Sequence, residues 1–167
     1  MTETRYPGPR RQSESPTRLN LAAIEAAKFH REGLRENFEY RDLGLSAATG
    51  GRVGAKHTRA VKPWEAETGW NWHDMDAHFI YVLKGWLTFR FAGTGEEVTV
   101  KAGACLNQPA GVPHNVLRYS DDLELIEINL PADYATVDLA DEPKARRKRK
   151  TGGRGRRAAN GGLKPVT

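Results

Sequence analysis

At 167 residues the chain suits one packed domain with flanking segments and is too short for two independent cores. Its single cysteine, Cys105, excludes an internal disulfide, and no apolar run approaches the ~20 residues of a membrane-spanning helix. The net charge of +5 is confined to one end: residues 143–167 hold ten Lys and Arg and no acid, leaving 16 basic against 21 acidic side chains in residues 1–142, so the body offers no cationic groove.

Residues 1–18 are rich in Pro, Ser, Arg and Glu and bury too little to offset their ordering entropy, which predicts a disordered terminus. The same stretch lacks the apolar centre of a signal peptide, and with the lone cysteine this predicts a cytoplasmic protein without membrane association. Next, Leu19, Ala22, Ala23, Ala26, Ala27 and His30 recur at helical spacing with Gly33 as a stop, predicting one N-terminal α-helix inside an element at 19–37. From residue 38 the helical period gives way to short alternating runs separated by Gly, Pro and Asn. Strands are predicted at Glu39–Leu43, Val53–Val61, Gly69–His73, His78–Lys84, Trp86–Ala92, Glu96–Lys101, Ala104–Gln108, Asn115–Tyr119 and Leu123–Leu130. Their number and spacing predict an all-β barrel or sandwich over 38–135. Residues 136–167 read as a basic, mostly disordered tail, with its charge concentrated at 144–157.

Two segments stand apart. One runs from Gly69 through Asn71, His73 and His78 to Gly85; the other runs from Gly103 through Pro109 and Gly111 to His114. They resemble the two signature motifs of the cupin superfamily: glycine, five residues, His-x-His, three or four residues, Glu, six residues, Gly; then glycine, five residues, Pro-x-Gly, two residues, His, three residues, Asn. The second motif fits at every spacing and departs only at its last position, Arg118. In the first, His78 occupies the position of the glutamate, which makes His73 the second histidine and puts Asn71 in place of the first. The resemblance covers roughly residues 53–130 and is closest to small single-domain cupins. It implies a double-stranded β-helix, a jelly roll, with a metal inside the barrel.

Residues two apart in a strand share a face, so Asn71 and His73 point together while Trp70 and Trp72 point the other way. Three neutral imidazoles, His73, His78 and His114, suit Fe, Mn, Ni, Zn or Cu and leave coordination positions open for a substrate. Iron heads that order, because a three-histidine set resembles the sites of dioxygenases in the superfamily. Asn71 is expected as a weak ligand or a hydrogen-bonding neighbour, with Glu127 and Asn129 beside it on the last strand. His57 shares a strand face with Val53, Ala55, Arg59 and Val61 and is expected to be a satisfied structural histidine before a site residue, and Cys105 to be a small core residue.

Phe79, Tyr81 and Leu83, opposite His78 on its strand, need a cover, which predicts a homodimer. Two functions stay open. One is a metal-dependent enzyme, dioxygenase- or isomerase-like, acting on a small organic molecule. The other is a noncatalytic small-molecule-binding or regulatory protein, associated with DNA through the 144–157 tail.

Overall fold

The computed structural model describes residues 11–26, 28–31 and 35–143. Ten strands form two five-stranded sheets that face each other as a jelly roll. The first sheet holds β1 (Phe38–Asp42), β2 (Gly54–Ala60), β4 (Ala77–Lys84), β7 (Cys105–Gln108) and β9 (Glu124–Leu130), in the order β1-β2-β9-β4-β7. The second holds β3 (Trp70–His73), β5 (Trp86–Phe91), β6 (Glu97–Lys101), β8 (His114–Tyr119) and β10 (Thr136–Leu139), in the order β10-β3-β8-β5-β6. All nine predicted strands are present, with ends shifted by a few residues.

The alternation of each strand explains why the sheets close on one core. On β4, His78, Ile80 and Val82 are buried while Tyr81 and Leu83 are each 45% exposed. Inward residues from both sheets, among them Phe38, Ile80, Val82, Leu87, Phe89, Tyr119, Leu123 and Leu125, form the apolar cluster. Turn chemistry fixes the corners. Gly85, between β4 and β5, has φ 69°, and a Cβ there would run into Ser120 and approach the Cα of Leu123 at 3.2 Å.

Three expectations are corrected. Among the described residues of the predicted helix at 19–32 there is one 3-10 turn, Ile24–Ala26, and the only α-helix among the described residues of the chain is α1 (Leu45–Thr49). Alanine side chains bury little area, and the segment is held by scattered backbone and side-chain contacts instead, among them the Phe29 ring under Arg59. Arg41 donates to the carbonyl of Ala22, Arg52 to that of Pro16, Asn20 to that of Leu43, and His30 bridges Tyr40 as an added edge.

The second correction is at the barrel's end: residues 136–139 are β10, paired with β3 from Thr136↔His73 to Leu139↔Trp70, and so belong to the fold and not to the tail. The third concerns Cys105, which is exposed on the edge strand β7. The predicted disorder of residues 1–10 and the basic run at 144–157 lie outside the described residues.

Gly85→Ala is expected to lower stability by about 1–2 kcal/mol, because any side chain must adopt a left-handed backbone and displace Ser120 or Leu123. Urea unfolding with an unchanged m-value is the measurement; a midpoint equal to the parent's would refute the assignment.

Candidate metal centre

The site is created where the chain crosses from one sheet to the other. β3 ends at His73 in the second sheet, and β4 begins at Ala77 in the first, so His73 and His78 are delivered from opposite walls. The corner between them is pinned by backbone bonds from Asp74 N–H to Ala135 and from Asp76 N–H to Leu130, with Met75 buried beneath. His114 opens β8 beside β3, in register with Asn71. Rigid turn residues place it there: Pro109 to Pro113 carries the chain from β7 in one sheet to β8 in the other.

All three histidines are buried, and their ring centroids lie 5.3 Å (His73–His78), 5.1 Å (His73–His114) and 6.5 Å (His78–His114) apart. They line one cavity of about 190 Å³ together with Asn71, Gln108, Glu127 and Tyr134. Nδ1 of His73 is 2.8 Å from Thr136 Oγ1, and Nδ1 of His114 is 3.2 Å from the carbonyl of Val112. Both contacts orient a ring by its Nδ1 and leave Nε2 as the remaining ligating nitrogen. His78 differs. Its Nε2 lies 3.1 Å from Glu127 Oε1 and 3.4 Å from the side-chain nitrogen of Gln108.

Burial, reinforced by the neighbouring His114 and His78, pushes the His73 pKa down to about 4. Burial also lowers that of His114, against the pull of the Val112 carbonyl. Both rings are therefore neutral at pH 7, the form in which imidazole binds a metal. At Glu127, burial alone would raise the pKa, but the hydrogen bond from His78 and the charges of His78, Lys56 and His73 outweigh it and hold the carboxyl below its usual range. Glu127 is thus an anion beside three imidazoles.

The donor chemistry fits a divalent transition ion: three nitrogens, an adjacent carboxylate, and two buried amide oxygens, Asn71 Oδ1 and Gln108 Oε1, without a hydrogen-bond partner. The rings as placed stand wider than a closed set, and among the described residues no group of His, Cys, Asp and Glu closes around a metal position.

Of the residues predicted from sequence, His73, His78, His114, Asn71 and Glu127 meet at this cavity. Asn129 does not line it. Its Nδ2 donates to the carbonyls of Pro131 (2.7 Å) and Ala132 (3.0 Å), clamping the turn after β9, and its side chain fills the space left by Gly54. His57 also faces away from the cavity, 3.1 Å from Glu124 Oε2 with the Phe29 ring packed edge-on against it. Sequence reasoning missed Thr136, Tyr134, Gln108, Lys56 and Arg35. Gln108 was within reach, being the last residue before Pro109 and in register with His78.

Residues 58–129 match the family model described as "Cupin domain". Among solved structures, the chain is similar to the polyketide cyclase RemF from Streptomyces resistomycificus, at 19% identity and TM-score 0.59, covering 75% of this chain and 89% of that one. It is also similar to the oxalate decarboxylase of Bacillus subtilis, at 15% identity and TM-score 0.53, covering 75% of this chain and 34% of that one. The Lactobacillus farciminis oxalate decarboxylase formate complex gives 15% identity and TM-score 0.52 over 70% of this chain and 34% of that one. The chain thus spans about a third of each decarboxylase. No curated protein matches the sequence.

The metal-free chain is expected to lose stability as pH falls from 6.5 toward 4.5. In that window the unfolded chain protonates His73 while the folded chain, with its pKa near 4, resists, so the loss reaches about 2 kcal/mol at the low end. Glu127, whose pKa is also lowered in the fold, adds to the same slope only as the pH nears its ordinary value of 4.5. Urea midpoints measured across this range should slope upward with pH, and His73→Gln should flatten the slope; a flat parent profile contradicts the assignment.

Proposed function

The barrel of this chain belongs to the cupin superfamily, and on that premise we propose that it is a metal-dependent enzyme acting on a small organic molecule. His73, His78 and His114 would hold a divalent transition metal, iron first, with manganese, nickel, zinc or copper as alternatives. The observation that carries this reading is the convergence of three buried imidazoles from three strands on one cavity, two of them oriented through Nδ1 by Thr136 and Val112. Such an ion, when bound, supplies Lewis acidity to a substrate oxygen and, if iron, one-electron chemistry toward O₂, which is the dioxygenase-like form of the proposal.

The chain's own residues do the rest. Glu127 holds the Nε2 proton of His78 and is the nearest carboxylate able to exchange a proton with a substrate. Tyr134 donates to Glu127 at 3.4 Å and lies against the His73 ring at a centroid distance of 5.4 Å, which fixes the carboxylate and ring together.

A second reading, a noncatalytic small-molecule-binding protein, is favoured by one observation: His78 spends Nε2 on Glu127. The homodimer is retained as part of the proposal, with Tyr81 and Leu83 as the face to be covered, as is a cytoplasmic setting. No helix among the described residues is long and apolar enough to cross a membrane. The proposed DNA association rests on residues 144–157, outside the described residues.

Protein purified without chelator should carry about one divalent metal per chain by elemental analysis, and the triple variant His73→Ala, His78→Ala, His114→Ala should carry none. Metal retained by that variant would sink the site. A metal-loaded chain that binds a ligand saturably yet never turns it over across a substrate panel favours the second reading. For the dimer, light scattering should give twice the monomer mass for the parent and the monomer mass for Tyr81→Glu with Leu83→Glu; a monomeric parent ends that part of the proposal.

A further inference from the structure

The cavity has two unlike parts. One carries the histidines, Glu127 and Tyr134; the other is walled by Phe38, Ile80, Leu87, Phe89, Leu123 and Leu125. Two cations, Arg35 and Lys56, also line it, against Glu127 as its one carboxylate among the described residues.

Each cation has a charge partner, Glu127 across the strands for Lys56 and Asp138 for Arg35, yet keeps hydrogen-bond donors to spare among the described residues. Lys56 has three donors, and its one hydrogen bond among the described residues is a long one, 3.4 Å to Tyr134 Oη, with its ammonium 5.4 Å from the centre of the same ring. Arg35 has five donors and reaches Asp138 Oδ1 at 3.3 Å, while that aspartate side chain is 69% exposed. Glu127 is already met by His78 and Tyr134. The wall therefore holds spare cationic donors next to apolar surface, and an incoming carboxylate would form charge-assisted hydrogen bonds stronger than those it displaces.

Size sets a further limit. A protein cavity of about 150 Å³ takes up benzene, and this one is about 190 Å³. One ring with a small substituent therefore fits. At the ring's end of the cavity the apolar wall rejects a second charge, since a carboxylate placed there would be an unpaired anion against Phe38, Leu87 or Leu123.

Resting on the reading of this cavity as a small-molecule site, we propose that its ligand class is single-ring monocarboxylic acids, with the ring in the apolar part and the carboxylate received by Lys56 and Arg35.

The test uses the full-length chain dialysed against chelator, so that no metal contributes, titrated with benzoate, benzamide and oxalate by calorimetry. Benzoate is expected to bind at least ~10-fold more tightly than benzamide, and oxalate to leave benzoate binding undisturbed. Lys56→Met should bring benzoate and benzamide to near parity while benzamide binds as in the parent, and Lys56→Arg should restore the gap; Arg35→Gln should narrow it. Benzamide matching benzoate in the parent, or oxalate displacing benzoate, overturns the acid class while leaving the cavity as a small-molecule site. A gap unchanged in both Lys56→Met and Arg35→Gln overturns the roles of the two cations. Binding of neither ring compound overturns the inference and the small-molecule reading beneath it together.

Discussion

A carboxylate enclosed between two sheets must be met by donors, and much of this molecule's polar interior is organised around that requirement at Glu127. His78 meets it at 3.1 Å, Tyr134 stands behind at 3.4 Å, and Lys56, its cross-strand partner on β2, sits over the Tyr134 ring. Removing any one leaves a buried charge or polar group short of a partner, which costs more than the contact itself contributes. The polar layer is thus a connected unit drawn from β2, β4, β9 and the segment before β10. The apolar cluster fills the rest of the barrel and lets that layer stay dry.

The same contact decides what the histidines can do. His73 and His114 are oriented by neutral groups, a hydroxyl and a carbonyl, and stay free on their other nitrogen. His78 stands where the related motif carries a glutamate, and the carboxylate this removes from β4 reappears on β9 as Glu127, one strand away. The charge near the site is kept while its attachment moves.

Much of the barrel was legible in the sequence because strand alternation and turn residues are local signals. The inward set on β4, the hinge at Pro109 to Pro113 and the two glycine-led motifs could be read without coordinates, and with them the fold and the three histidines. The N-terminal helix was misread because Ala22, Ala23 and Ala26 mimic a buried stripe but bring little area, and Leu19 and Leu21 remain 85% and 89% exposed. Thr136, Tyr134 and Lys56 were invisible for another reason. Their importance lies in pairings 63 to 78 residues apart, Thr136 with His73 and Lys56 with Tyr134, and no periodicity records a partner at that distance.

The hydroxyl that orients His73 comes from β10, the last strand of the barrel. During synthesis, a ribosome that has already released His73, His78 and His114 has still released an unfinished site, since the first of these rings can turn until Thr136 is laid alongside it. Completion of the centre is thereby tied to completion of the barrel, and a nascent chain stopped short of that strand would hold the donors without their order.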